Sequence, residues 1–387
     1  MEKLNIINAC WKQWLPVLVA VVVGGVMYFC FPYVMVAREQ SLLFLWNADY
    51  FMERLVVPGG LAQYVGEFLT QFFGNPVVAS LIYAALCLTG QRLMLRLIPR
   101  FYWLSYLPVV TIALLALNIY IPLTLTVAVL LTMALMLLLP KGSKQRLLSM
   151  AVLIPVGYWL LGPAVVLLLL CSLKWSPLLA VLLAACVIGS ERCAPYPLSQ
   201  LARGIDYYCE EEHPNTMEEM ECDMLLRQKR WHLLASKFSS AESPAVQCAY
   251  MLAKYQLGQV SQLELMDYLN PSVKVLSTQS SAFIMSEAYL VTGMVQLSQR
   301  CAFEAMESVP NYNKSGRALR RLVETNLVNG NTRVALKYIS LLEQTVAFRD
   351  FASRHRPLAE HPELMDSHPF FKPLREVYAK SHDTFFY

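Results

Sequence analysis

No charged side chain occurs between Arg100 and Lys141. That stretch reads as two apolar runs, Tyr102 to Tyr120 and Ile121 to Leu139, and it sets the tightest limit on what the chain can fold into. A bilayer core of roughly 30 Å takes spanning helices of about 20 apolar residues. Inside lipid each backbone amide must be bonded within its own segment, so continuous runs of this kind are read as helices. Further runs lie at Leu15–Met35, Pro76–Ile98 and Leu147–Leu161, with two shorter ones at Pro163–Leu173 and Pro177–Ile188.

The charges are partitioned along the chain. Overall, 56% of residues are hydrophobic and 16% charged, against roughly 45–50% and about 25% in soluble domains. Residues 1–190 hold five acidic and eleven basic residues, whereas 191–387 hold 23 acidic, 21 basic and all six histidines. Two solvents are implied, lipid and then water, with the domain boundary at 190/191. The soluble half is slightly acidic, which excludes nucleic acid as its partner and leaves the positive excess to the membrane half. Ten cysteines show no C-x-x-C pair and no regular spacing, so neither a zinc site nor a disulfide framework is written in them.

Lys and Arg in short loops orient the spans. Lys3 and Lys12 precede the first run, Arg92, Arg96 and Arg100 follow the second, and Lys141, Lys144 and Arg146 follow the fourth. All fall on one side, which is expected to be cytoplasmic. Between Arg146 and Ser190 either two or three passes are possible, because Pro155, Pro163, Lys174 and Pro177 interrupt the pattern. Three passes place a turn at Gly162-Pro163 outside and Lys174 inside. They give about seven spans and an extracytoplasmic, periplasmic C-terminal domain. Two passes give six spans and a cytoplasmic one. The three-pass reading is preferred.

The loop at 37–75 is too polar to span and too apolar to float free, so it is expected to lie in the membrane interface. Leu61, Tyr64, Val65, Phe68, Leu69, Phe72 and Phe73 recur at helical spacing beside Gln63, Glu67 and Gln71. Pro58-Gly59-Gly60 forces a turn before that helix, separating it from a shorter one around Leu43–Leu55. Asp49, Glu53 and Glu67 are carboxylates that can serve as a general base or hold a metal carrying a lipid-linked phosphate. They can equally be the solvated faces of amphipathic helices, and that plainer reading is preferred.

Asn47-Ala48-Asp49-Tyr50-Phe51, Pro58-Gly59-Gly60-Leu61 and Gln71-Phe72-Phe73, placed after a first span, resemble a family of uncharacterised Bacteroidota multi-pass membrane proteins known only as a domain of unknown function. The resemblance covers most of the chain and carries no catalytic residue across. The layout is also similar to integral-membrane glycosyltransferases that use polyprenyl-phosphate sugars. That similarity implies chemistry at a carboxylate of the first outer loop and singles out Asp49, with Glu67 or Arg54 supporting it.

Residues 191–387 read as helix after helix: Leu198–Glu211, Met217–Ser239, Pro244–Leu257, Ser261–Leu269, Ser281–Leu297, Cys301–Ser308, Gly316–Asn329, Thr332–Thr345 and Pro369–Ser381. The segment from Arg320 to Thr345 has tetratricopeptide-like spacing, with Gly330 breaking two amphipathic helices and Ala335 allowing them to approach. Segments from Ala249 and Ala288 repeat the outline. The fold class expected is therefore all-α, a polytopic helical bundle followed by a soluble helical-repeat domain with a surface suited to a peptide or protein.

His355, His361 and His368 lie outside common metal-ligand spacing, and the basic runs Arg227–Arg230 and Arg320-Arg321 together with Glu210-Glu211-Glu212 read as solvated faces. Nucleophile-elbow, P-loop and dinucleotide motifs are absent. No cofactor is indicated, and charges deep in the spans, which ion-coupled transport needs, are lacking. Two functions remain. One is a scaffold in the bacterial inner membrane whose repeats bind a protein or peptide partner. The other is a glycosyltransferase-like enzyme acting on a lipid-linked substrate at the outer face through Asp49, Glu67 and Arg54.

Overall fold

The computed structural model describes residues 2–193, 215–269, 278–308 and 314–380. The helix expected at Leu198–Glu211 and the acidic run Glu210–Glu212 lie outside the described residues, as does the end of the last expected helix at Ser381. Among the described residues every regular element is helical, and the chain divides into two compact units. The first comprises residues 1–35 and 47–210, the second residues 36–46 and 211–387.

The first unit begins with α1 (Glu2–Cys30). Pro32 follows it and opens α2 (Pro32–Gln40) after a break at Phe31, because the residue before a proline is disfavoured in helix. The first apolar helix, α1, therefore ends five residues earlier than the apolar run that ends at Met35. Two short helices come next, α3 (Ala48–Leu55) and α4 (Gly60–Thr70), then α5 (Pro76–Leu97). A single 3-10 turn (Trp103–Tyr106) leads into α6 (Leu107–Ala116), followed by α7 (Leu123–Leu138) and α8 (Ser143–Leu161). A 3-10 stretch (Gly162–Trp175) and α9 (Ser176–Gly189) complete the unit.

Three helical runs are long and apolar enough to cross a membrane: Trp11–Cys30, Pro76–Leu97 and Ser143–Cys171, the last divided at Gly162. The runs Trp103–Ala116, Leu123–Leu138 and Ser176–Gly189 are equally apolar but shorter. A 16-residue helix such as α7 rises about 24 Å, short of the roughly 30 Å core. Proline and glycine trimmed these runs, which hydropathy alone cannot detect.

Hydrogen bonds mark two poles of this unit. At one, Arg92 donates to the Gln13 carbonyl (2.8 Å), Tyr102 to the Lys12 carbonyl (3.3 Å), and Arg146 to the Cys171 carbonyl (3.2 Å). The starts of α1 and α8 thus meet the ends of α5 and of the 3-10 stretch. At the other, the Tyr158 and Ser190 hydroxyls lie 3.0 Å apart, joining the ends of α8 and α9. The chain after Ser143 therefore runs up, back and up again, with Gly162 (φ +70°) at the first turn. The core between these elements holds Tyr83, Met150, Ile154 and Leu168, all fully buried.

In the second unit α10 (Met217–Arg227), α11 (Trp231–Lys237), α12 (Pro244–Gln256) and α13 (Gln262–Met266) precede two packed pairs of helices and two further helices. The pairs are α14 (Gln279–Val291) with α15 (Val295–Glu307) and α16 (Gly316–Val328) with α17 (Thr332–Leu342), and the further helices are α18 (Arg349–Glu360) and α19 (Phe371–Lys380). From α14 to α18 each helix packs on the next, and α19 returns to α16. Gly330 (φ +78°) separates α16 from α17 and Ala335 is wholly buried between them, as the spacing predicts.

Elsewhere the breaks differ. The helix expected at Met217–Ser239 is two helices, because Lys229 takes a left-handed backbone (φ +54°). The expected Ser281–Leu297 ends at Val291, where Gly293 (φ +82°) turns the chain beneath Val377 and leaves no room for a side chain. Helix α18 was not anticipated, since Pro357 and a run of charges hide its apolar stripe of Phe351, Ala352, Leu358 and Ala359.

Candidate functional site

The loop at 37–75 has the residues on which chemistry was expected, and its structure follows from its motifs. The Asn47 side chain accepts from the Tyr50 amide (2.7 Å) and so caps α3. Gly59 (φ +87°) turns the chain into α4, and its amide donates to the Trp159 carbonyl (2.9 Å). The Trp159 indole returns a bond to the Leu55 carbonyl (2.9 Å). A side chain at Gly59 would strain the backbone and meet Gly162. The Pro-Gly-Gly motif is thus a clasp between the loop and the end of α8.

Helix α4 buries small and polar residues, while Val65 and Leu69 of its apolar face pack on the core and Phe73 beyond it is fully buried. Ala62, Gly66, Glu67 and Thr70 are buried, whereas Leu61, Tyr64, Val65, Phe68 and Leu69 are partly exposed. Small residues at every fourth position let α4 lie against α7, and a Cβ on Gly66 would come 2.7 Å from the Thr124 amide nitrogen. Close approach through small residues is the packing expected where surrounding lipid is as apolar as leucine.

Helix α3 presents two edges offset by one residue, Tyr50 with Arg54 and Asp49 with Glu53. Tyr50 and Arg54 meet Glu67: the Tyr50 hydroxyl donates to its Oε2 (2.7 Å), Arg54 Nε to the same oxygen (2.9 Å), and Gln63 to Oε1 (2.9 Å). Arg54 also donates to the Tyr50 hydroxyl (2.9 Å) and covers that ring. Burial, then the negative Glu67, push the Tyr50 phenol above its ordinary range. Burial alone would lower the Arg54 guanidinium, but Glu67 and Tyr50 outweigh it and raise it. Both oxygens of Glu67 are thus committed, and the cluster acts as a buried ionic lock holding α3 to α4. Asp49 and Glu53 occupy the other edge and are exposed. The structure therefore brings Arg54 and Glu67 together and leaves Asp49 apart. No group of His, Cys, Asp and Glu fit to hold a metal occurs among the described residues.

A second arrangement had no sequence signal. Residues 36–46, which follow α1 and include the end of α2, are built into the second unit. Gln40 donates to Asp223 Oδ2 (2.9 Å), and Arg317 grips the same carboxylate at 2.5 and 2.8 Å. Ser41 donates to Gln279 (2.8 Å), Glu39 pairs with Arg227 (3.5 Å), and the Trp46 amide donates to the Gln344 carbonyl (2.7 Å). Leu43 joins the hydrophobic core of the helical pairs, with Leu319, Leu322 and Val323. Leu42, Leu43 and Phe44 are all buried, although successive residues of an extended chain point to opposite faces. Burial raises the Glu39 carboxyl above its ordinary value despite Arg227. The segment touches α10, α14 and the end of α17, so it crosses the helical pairs as a bound peptide would.

These features define an all-helical protein with runs long and apolar enough to cross a membrane in one unit and packed helices in the other. The chain belongs to the family of unknown function DUF6057, whose model matches residues 8–387. Neither the curated proteins nor the solved structures give a match.

Proposed function

We propose that the protein is a scaffold embedded in a bacterial inner membrane by seven crossings, carrying a tetratricopeptide-like unit on the extracytoplasmic side for a protein or peptide partner. The observation that carries this reading is the seating of residues 36–46 across the helical pairs. A face that holds one stretch of polypeptide by main-chain and side-chain bonds is chemically suited to holding polypeptide.

The same segment supports the orientation. It emerges directly from the first span, so the second unit shares the side on which that span ends, and the number of crossings is odd. The Tyr158–Ser190 contact supports this independently, since it puts the end of α9 at the pole of Gly59 and Trp159. The short helices α6, α7 and α9 would cross by thinning the bilayer locally, at a modest cost per ångström. The basic residues of the opposite pole then face the cytoplasm.

The enzyme alternative has less support, because Glu67 and Arg54 are spent on one another and only Asp49 and Glu53 remain open. Complementation of a deletion strain separates the two. Asp49→Asn should restore function as the wild type does, while Arg333→Glu with Lys337→Glu, both on the exposed side of α17, should fail although the protein accumulates normally. Loss of function in a stably folded Asp49→Asn, with the α17 variant active, would overturn the scaffold reading.

A further inference from the structure

A cleft of about 570 Å3 lies in the first unit, walled by α5, α6, α7 and the 3-10 stretch. This is within the roughly 300–1,000 Å3 of ordinary ligand sites. Its lining is apolar: Leu97, Leu107, Ile112, Val129, Met133 and Leu170 are representative. Leu107 and Leu170 are 55% and 63% exposed, so the cleft opens sideways among side chains that face the hydrocarbon. Lining residues of α7 run from Leu125 to Met136, a rise of about 16 Å, which suits an extended alkyl chain.

One end of the cleft is charged and aromatic. Met94, Leu97 and Ile98 line it, and Arg96 and Arg100, both exposed, stand in the same turn and the one after. Cys171 lines it too, and its carbonyl holds the Arg146 guanidinium at 3.2 Å. Lys141 follows Met136 of the lining by five residues, and the connections 98–106 and 139–142 contain no carboxylate. Phe101 and Trp103 are 58% and 74% exposed at this end, as aromatic side chains at headgroup level are.

We propose that the cleft binds one acyl chain of an anionic phospholipid from the cytoplasmic leaflet, with its phosphate among Arg96, Arg100, Lys141 and Arg146. Moving an alkyl chain from lipid to an apolar cleft gains almost nothing by the hydrophobic effect, since both media are apolar. The cleft therefore selects by shape, and preference among lipids comes from the phosphate and the absence of any neutralising positive group on the headgroup. The inference rests on the membrane reading but not on the identity of any partner.

The test places the full-length protein in vesicles of phosphatidylcholine with a minor share of phosphatidylglycerol, extracts it gently and measures bound lipid by native mass spectrometry. The wild type should retain one phosphatidylglycerol, enriched over its share in the vesicle. Arg96→Gln with Arg100→Gln should cut that enrichment on the order of thirty-fold, from the weight of two basic residues at a membrane surface. Val129→Trp, which fills the cleft and leaves the basic end intact, should abolish retention of both lipids, with folding checked by thermal unfolding. Retention of the two lipids in their vesicle ratio by the wild type, or undiminished retention by Val129→Trp, overturns the proposal. Failure of the wild type to insert overturns the membrane reading and the lipid site together.

Discussion

Replacing Leu43 with alanine should release the segment 36–46 from the helical pairs. Leu43 is 5% exposed and belongs to the hydrophobic core of the second unit. Truncating a buried leucine costs about 2–5 kcal/mol, the spread reflecting how far the site can collapse. Residues 42–46 of the segment are not helical, so this stretch should open before the helices do, and the loss then falls on its own opening equilibrium. Its reporter is the Trp46 amide, bonded to the Gln344 carbonyl at 2.7 Å. At a factor of ten per 1.4 kcal/mol, exchange of that amide should accelerate from about 30-fold to about 4,000-fold. The assay is hydrogen exchange of the full-length protein in detergent, read by mass spectrometry. Leu263→Ala, at a residue 81% exposed, is the control and should change nothing. Unchanged exchange at Trp46 in a folded Leu43→Ala protein would refute the docking of the segment.

Three further outcomes follow from the same geometry. Glu67→Ala removes the carboxylate that pairs with Arg54, whose side chain is 17% exposed, and should cost about 3–5 kcal/mol in thermal unfolding, whereas exposed Asp49→Asn should stay within about 0.5 kcal/mol; equal effects would mean the ionic lock is not structural. Gly66→Ala ordinarily favours a helix by up to about 1 kcal/mol, yet here should destabilise by about 1–3 kcal/mol because its Cβ meets the Thr124 backbone, and a gain in melting temperature would contradict the close approach. His355 is half-buried, stacks on Phe351 and is bonded to its carbonyl (2.8 Å), and this partial burial lowers its pKa below the ordinary 6.5. The unfolded chain then binds the proton more tightly, so stability should fall as pH drops below about 6.5, and His355→Phe should remove that slope from the melting curves.

How much of this was legible in the sequence depends on the range of the interactions. The apolar runs and the α16–α17 pair were readable because periodicity and Gly330 are local signals. The turn at Pro58-Gly59-Gly60 was readable as a turn, but not its clasp on Trp159, which lies about a hundred residues on. Glu67 was legible as a carboxylate on the polar side of α4; its burial depends on Tyr50 and Arg54 of another helix. Asp49 and Glu67, grouped by residue type, fall on different sides of α3 because one helical step separates Asp49 from Tyr50. Residues 36–46 gave no signal of their partner, since Gln40 and Asp223 are 183 positions apart. Helix α18 was hidden by Pro357, and the break at Gly293 is set by Val377 from a helix about eighty residues on.

The central claim is that the helical pairs lie on the same side of the membrane as the first outer loop. A reporter active only outside the cytoplasm, fused after Tyr387 and separately after Ser190, tests it directly. Activity at both positions is the predicted result, with three crossings between Ser143 and Ser190. No activity at either, with a cytoplasmic reporter active in its place, would contradict the account, for the segment leaving the first span could not then reach Asp223 and Gln344.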